Sequence, residues 1–302
     1  MESYIVSIIV SIIVGIISRT YMMRIDHRQY PSYPQGFLSH ITLGLIASSL
    51  GAVAVPALAT KEFGAVTFLS LAAQQFRDVR NLERQSLDNI EPTELVPRGT
   101  AYIEDIAKAF EARNYMVMLT SLITSIAMNL SRILKAEQKL QVVTGVIIGI
   151  ASMLVLKKLL TRQLIREIAE VRPAKISFDG PLLTINDVII MNIGLKGSRK
   201  IYEERGIAVE IIPKGSSASA TLSNIGQRQA IQHQAATQLG IRKDIDEPDF
   251  TPLARRNPHN GNLVMALIPM EPNVDLLVDV VKKTPVLETC RRKPRGKNLK
   301  EK

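Results

Sequence analysis

Long runs of uncharged apolar residues are confined to the first half of this 302-residue chain. The hydrocarbon core of a bilayer is about 30 Å thick, so a helix needs roughly 20 apolar residues to cross it. Such runs therefore predict about five membrane spans. They cover residues 3–18, 36–59, 63–76, 115–131 and 142–156. The third and fifth runs are short, and a re-entrant or interfacial placement stays open for both. Arg19, just after the first run, is expected to reach the interface with its long side chain.

After Lys157 the apolar runs give way to short alternating segments. Alternation is typical of strands with one buried face, and two stretches with helical periodicity follow. The fold class predicted is an α-helical membrane domain of about five spans, followed by a small α+β cytoplasmic domain. The membrane domain takes residues 1–160 with a cytoplasmic loop over 77–114, the α+β domain takes 161–288, and a basic disordered tail takes 289–302. Strands are expected at 175–178, 182–185, 188–193, 207–212 and 262–268, and helices up to 170, at 223–239 and at 273–283.

Basic residues orient the predicted spans, because cytoplasmic flanks carry an excess of Lys and Arg. With the N-terminus outside and five spans, the inside flanks hold 13 basic residues and the outside loops hold 4. The inverse topology would reverse that ratio. The protein is therefore predicted in the cell membrane, with its N-terminus outside and its C-terminal domain in the cytoplasm.

Composition and the lack of motifs exclude several classes of function. The single cysteine, Cys290, rules out an intramolecular disulfide and a Cys-based zinc site. There is no metal or nucleotide motif, so no cofactor is expected. A net charge of +10 is explained by an anionic membrane surface, and without an aromatic-rich or helix-turn-helix pattern nucleic acid is not expected as a partner. Gly145 and Gly149 have GxxxG spacing, which favours packing within the chain and leaves a homo-oligomer open.

One segment of the predicted cytoplasmic loop carries a resemblance to a known family. Its residues are Tyr102, Ile103, Glu104, Asp105, Ile106 and Ala107. Their apolar members fall on one face of a helix, which would lie on the membrane or on the C-terminal domain. The segment resembles the motif after which the YIEGIA family of endospore-forming Firmicutes is named, and the similarity extends over nearly the whole chain, including residues 37–45 and 110–115. Asp105 stands where the motif has glycine, a change that is harmless in a regular helix and unfavourable at a positive φ.

This resemblance implies a multi-spanning membrane protein with a role in sporulation. It also raises a regulatory proteolytic activity, which would require a nucleophile in the cytoplasmic domain.

A Ser-rich stretch over 213–224 is the most conspicuous candidate site. Ser219 lies between two alanines and before a predicted helix whose first N–H groups would stabilise an oxyanion, so it is the predicted nucleophile, with Ser216 beside it. A serine hydroxyl needs a base, for which His233 and then Lys214 are the candidates. A flexible Ser/Gly loop with a helix cap explains the same residues without chemistry. His259, in a turn-forming cluster, is a further loop histidine.

Two functional hypotheses remain. The first is a membrane-tethered regulator of sporulation whose cytoplasmic domain acts as an unconventional serine protease on a regulatory protein. The second is a non-enzymatic membrane scaffold that recruits a cytoplasmic partner. Transport is disfavoured, because the predicted spans lack charges and show no repeat.

Overall fold

The computed structural model describes residues 4–26, 34–243 and 250–293. The chain forms two compact units. The first contains residues 1–85 and 106–161, and the second contains residues 86–105 and the chain from Arg162 onward. The part of the tail beyond 293 lies outside the described residues.

The first unit is built from long helices. They are α1 (Ile5–Asp26), α2 (Pro34–Ala59), α3 (Phe63–Ile90), α4 (Thr100–Ile133) and α5 (Gln138–Leu160), of which α3 and α4 extend into the second unit. Within the described residues, four helices are long and apolar enough to cross a membrane: α1, α2, α4 and α5. That is one fewer than the sequence predicted, because Arg77, Asp78 and Arg80 follow the short apolar run of α3.

Contacts between small residues fix the directions of three of these helices. A Cβ atom added to Gly15 of α1 would lie 2.4 Å from the Cβ of Ser48, and one added to Gly44 of α2 would lie 2.7 Å from the Cγ of Arg19, so α1 and α2 are antiparallel. Two serines of α4 donate to carbonyl oxygens of α2, Ser121 to Ser48 at 2.7 Å and Ser125 to Ala52 at 3.1 Å. In both bonds the two residues are 73 positions apart in the chain, so α2 and α4 are parallel.

Since α2 and α4 are parallel, the chain between them must return along the bundle, and α3 makes that return. A tight turn after α2 brings the N–H of Glu62 to the carbonyl of Ala57 at 2.9 Å. At the other end of the bundle, the ring of Phe76 meets that of Tyr115 with 5.7 Å between centroids, and Arg80 pairs with Glu111 at 3.2 Å.

The GxxxG glycines of α5 are used inside the chain, as expected. A Cβ at Gly145 would lie 2.3 Å from the Cγ of Met128, and one at Gly149 would lie 2.3 Å from the hydroxyl of Thr124. Both contacts are with α4, so the glycines allow close helix packing within one molecule.

Arg19 does not reach outward, contrary to the prediction that it would extend to the interface. Its side chain is fully buried, and its Nε donates to the carbonyl of His40 at 3.3 Å. The guanidinium also lies 5.2 Å from the centroid of the Phe110 ring. The expectation of spans without buried charge is therefore wrong at this position.

The second unit has three layers. A four-stranded antiparallel sheet in the order β1-β5-β7-β6 lies in the middle. One face of it packs on helices α9 and α10 through Val209, Ile231 and Leu277, and the other packs on an antiparallel sheet β2-β3-β4 through Ala208, Val264 and Leu183. The strands are β1 (Ala169–Ala174), β2 (Ile176–Asp179), β3 (Leu182–Ile185), β4 (Val188–Asn192), β5 (Ile207–Pro213), β6 (Leu253–Arg256) and β7 (Leu263–Leu267).

The helices of this unit are α6 (Ile165–Ile168), α7 (Lys196–Arg205), α8 (Ser216–Leu222), α9 (Ile225–Leu239) and α10 (Val274–Lys283). The α+β class is confirmed, but several details differ from the predictions. The helix predicted up to residue 170 ends at Ile168, and residues 169–174 form strand β1. The segment 86–105, predicted within a loop of the membrane domain, belongs to this unit. The predicted tail starts too early, since Cys290 is buried in a 3₁₀ turn over Glu288–Cys290.

Candidate functional site

The Ser-rich stretch is a helix, not the loop that the sequence predicted. Ser216 opens α8, and the N–H of Ser219 donates to the carbonyl of Gly215 at 2.9 Å inside the helix. Ala218 and Leu222 are buried, and their packing outweighs the modest helix propensity of serine. The next helix, α9, is capped by Asn224, whose side chain accepts from the N–H of Gly226. Ser219 therefore lies inside α8 and not in a loop that leads directly into a helix.

The hydroxyl of Ser219 faces a turn of the middle sheet. It accepts a hydrogen bond from Nη2 of Arg256 at 3.4 Å. Gly261, at φ +77°, comes so close that a Cβ there would lie 3.0 Å from the Ser219 oxygen. His259 lies two residues before Gly261 and is exposed. The neighbours of Ser219 are thus the residues that connect β6 to β7.

His233 is buried on α9 and is held by two hydrogen bonds. Its Nδ1 is 2.7 Å from the carbonyl oxygen of Val96, so that nitrogen carries the proton and donates. Its Nε2 then accepts from the hydroxyl of Thr237 at 3.3 Å. Burial lowers the pKa of His233 and so favours the neutral ring, and the positive charge of Arg98 acts in the same direction. The Nδ1 bond therefore holds residue 96 against α9, and the Nε2 bond lies within that helix.

Lys214 is likewise used structurally. Its Nζ donates to the carbonyl oxygens of Arg166 at 2.9 Å and Glu167 at 3.3 Å, both in α6, the short helix that directly precedes β1. Among the described hydrogen bonds, none joins Ser219 or Ser216 to His233 or Lys214. The catalytic assignment of these four residues therefore stays a prediction.

The first part of the YIEGIA-like segment is anchored in the second unit. The Tyr102 hydroxyl accepts from Nε2 of Gln234, and its ring meets His233 edge-on with 6.1 Å between centroids. Asp105 forms an ion pair with Arg162, 2.6 Å from Nη1 to Oδ2, and its other oxygen accepts from the N–H of Glu288 at 3.2 Å. Asp105 has ordinary helical backbone in α4, so its place in the motif brings no strain.

The turn before Tyr102 is shaped by Gly99. This residue has φ +81°, and a Cβ on it would lie 2.3 Å from Oε1 of Gln229 on α9. Its N–H donates to Glu91 at 2.6 Å, and Arg98 pairs with Glu94 at 2.7 Å. A glycine is required here both for the backbone and for the close approach to α9. We call residues 91–105 the docking segment.

Sequence reasoning missed Arg256, Arg162 and Gln234, each of which contacts a predicted site residue. Their partners are 37, 57 and 132 positions away in the chain. Arg and Gln are usually exposed, and no local sequence pattern predicts that one of them contacts a residue so far away in the chain.

The part of the chain that the structure describes contains no group of three or more His, Cys, Asp or Glu side chains arranged for a metal ion. Cys290 is a free thiol, and burial raises its pKa.

A family model settles the relationship of the chain, since the model of the YIEGIA protein matches residues 7–297. The chain belongs to the YIEGIA family. It is also 40% identical over 294 residues to the "Uncharacterized protein YphB" of Bacillus subtilis (strain 168), which covers 97% of this chain and 96% of that protein. No solved structure matches it. The relative comes from an endospore former, as the resemblance implied. The first four motif residues, 102–105, end the docking segment within α4, and residues 106 and 107 follow in the same helix.

Proposed function

We propose that this YIEGIA protein is a membrane-anchored regulator of sporulation, whose α+β unit binds a regulatory protein in the cytoplasm without catalysing a reaction. Its helices are apolar enough for a bilayer, and its relative belongs to a spore former. The observation that carries the non-enzymatic reading is the use of His233. Its donor nitrogen holds Val96 and its acceptor nitrogen meets Thr237, so the best candidate for a base serves the fold.

The proposed topology has five crossings, with α3 as a short fifth span. Tyr4 stacks on Arg132 at one end of the first unit, and Tyr21 contacts Lys157 at the other, so residues 4 and 157 lie at opposite ends. The parallel arrangement of α2 and α4 supports a crossing by α3 as well. An odd number of crossings puts the N-terminus and the α+β unit on opposite sides of the membrane, and the distribution of basic residues favours the N-terminus outside.

The partner is proposed to bind along β6, the end strand of the middle sheet. Leu253, Arg255 and Arg256 are exposed on this short strand. An end strand offers backbone groups to an added strand, and two exposed arginines favour an acidic one. We therefore expect an acidic segment of the partner at this strand.

The test uses full-length protein in a spore-forming host that lacks its own copy. The double substitution Arg255→Glu, Arg256→Glu should reduce the amount of partner cross-linked to the protein in membranes by about tenfold. The new glutamates would repel the acidic segment of the partner. The yield of heat-resistant spores should fall together with the cross-linking. Arg172→Glu, on the exposed opposite end strand β1, is the matched control and should change neither.

A serine protease is the second candidate, favoured by the Arg256 guanidinium beside the Ser219 hydroxyl. Ser219→Ala separates the two hypotheses in the same host. The scaffold predicts unchanged partner level, binding and spore yield. Accumulation of the partner with intact binding would refute the scaffold and establish turnover.

A further inference from the structure

The bundle has a buried polar layer at one end of α1, α2 and α4. The contacts of Gly15 with Ser48 and of Ser121 with Ser48 fix the registers of the three helices. Counting from these contacts along each helix places Asn114 level with Ile41 of α2 and Met22 of α1. We call this level the Asn114 layer.

Asn114 is fully buried, and neither atom of its amide has a hydrogen-bond partner among the described residues. An amide in an apolar environment without partners is destabilising, because it has lost its hydrogen bonds to water and gained none in return. Asn129, in the same helix, shows the usual arrangement. Its Nδ2 donates to the carbonyl of Ser125 at 2.8 Å and to the hydroxyl of Ser7 at 3.3 Å. Asn114 therefore stands out as a buried amide without a partner in the part of the chain that the structure describes.

The guanidinium of Arg19 is at the same level. Its Nη2 is 2.6 Å from Nδ1 of His40, and it stacks on Phe110, which lies one helical turn before Asn114. Because arginine only donates, His40 accepts at Nδ1, so a neutral His40 presents its Nε2–H as a further donor. A guanidinium has five N–H donors, so it can hold His40 and contact another acceptor.

The hydroxyl of Ser18, one helical turn before Met22 in α1, is also fully buried and without a described partner. The absence of a side chain at Gly44 leaves the space that the stem of Arg19 occupies. This end of the bundle thus offers the guanidinium of Arg19, N–H and O–H donors, and one amide oxygen that needs a donor. A ligand must bring negatively charged oxygens and at least one hydroxyl.

We propose that the Asn114 layer binds a glycerophosphate group, held by Arg19 and the Asn114 Nδ2 through its phosphate oxygens and by the Asn114 Oδ1 through a glycerol hydroxyl. The headgroup of phosphatidylglycerol and free glycerol 3-phosphate share this chemistry. A site at the end of a helix bundle favours the lipid as its source. The inference depends on the helix bundle alone and is independent of the proposed partner binding.

The test is the thermal stability of the full-length protein in a neutral detergent. Phosphatidylglycerol at roughly a hundredfold excess over Kd should raise the Tm of the wild type by about 5 °C. Phosphatidylcholine, which lacks the glycerol hydroxyls and the net charge, should not. Asn114→Leu should abolish the rise. In detergent alone its Tm should equal or exceed that of the wild type, because the substitution removes an unpartnered buried amide.

Asn129→Leu is the matched control, since it removes an amide that does have partners. It should lower the Tm in detergent and keep the rise with phosphatidylglycerol. A rise with glycerol 3-phosphate that is lost in Asn114→Leu would also support the site and would identify a soluble ligand. A wild type that responds to neither compound, or an Asn114→Leu protein that still responds, would overturn the proposal.

Discussion

At the scale of single residues, His233 illustrates how a sequence-based candidate for chemistry becomes a structural residue. A histidine on a helix after a Ser-rich stretch fits a general base. The sequence does not show that the carbonyl of Val96, 137 positions earlier, occupies its donor nitrogen. The position of His233 on a helix could be predicted from the sequence, but its hydrogen-bond partner could not.

The lowered pKa of His233 gives a prediction for the pH dependence of stability. The unfolded chain, with an ordinary histidine pKa near 6.5, binds the proton before the folded protein does. The stabilisation is therefore complete above that pH and is lost as the pH falls below it. Tm measured in detergent should drop between pH 7.5 and pH 5, and less so in His233→Asn, whose amide keeps the donor to Val96 without titrating.

The exposed His259 supplies the comparison for this experiment. His259→Gln, which removes an exposed histidine in place of the buried one, is the matched control. An unchanged drop in His233→Asn would mean that other groups cause it.

At the scale of elements, the helices were predicted best where the signal is local. Hydropathy predicted α1, α2 and α5 because a run of apolar residues has few other structures available in a membrane. α8 was missed, since the burial of Ala218 and Leu222 decides its structure and serine favours loops and caps. A helix was expected only from residue 100 of the docking segment, on the membrane or on the C-terminal domain, and long-range contacts show that the segment packs on α9.

The ion pair of Asp105 with Arg162 gives the prediction at this scale. The two side chains are 5% and 25% exposed, so removing one charge leaves the other poorly solvated. Asp105→Asn should destabilise the second unit by about 2 kcal/mol, measured by unfolding in detergent. Glu170→Gln, in a pair with Arg172 whose side chains are both more than half exposed, should have little effect. Equal losses in the two variants would contradict the structural role of Asp105.

At the scale of the whole molecule, the proposed five crossings can be tested by cysteine labelling. In a Cys290→Ser background, Glu62→Cys and Glu137→Cys should react with a membrane-impermeant maleimide in intact cells. Arg84→Cys and Lys200→Cys should react only after permeabilisation. All four positions are exposed in the structure. Labelling of residue 84 together with residue 62 in intact cells would show that α3 does not cross.

The packing at Gly15 has a consequence for the passage of water and protons between α1 and α2. With the backbone of α1 so close to Ser48 that even a methyl group would overlap it, no file of water molecules can pass between these helices. At the level of Gly15 and Ser48, the polar side chains of α1 and α2 are therefore not joined by water across this contact. A protein whose first two helices meet in this way offers protons no route between them.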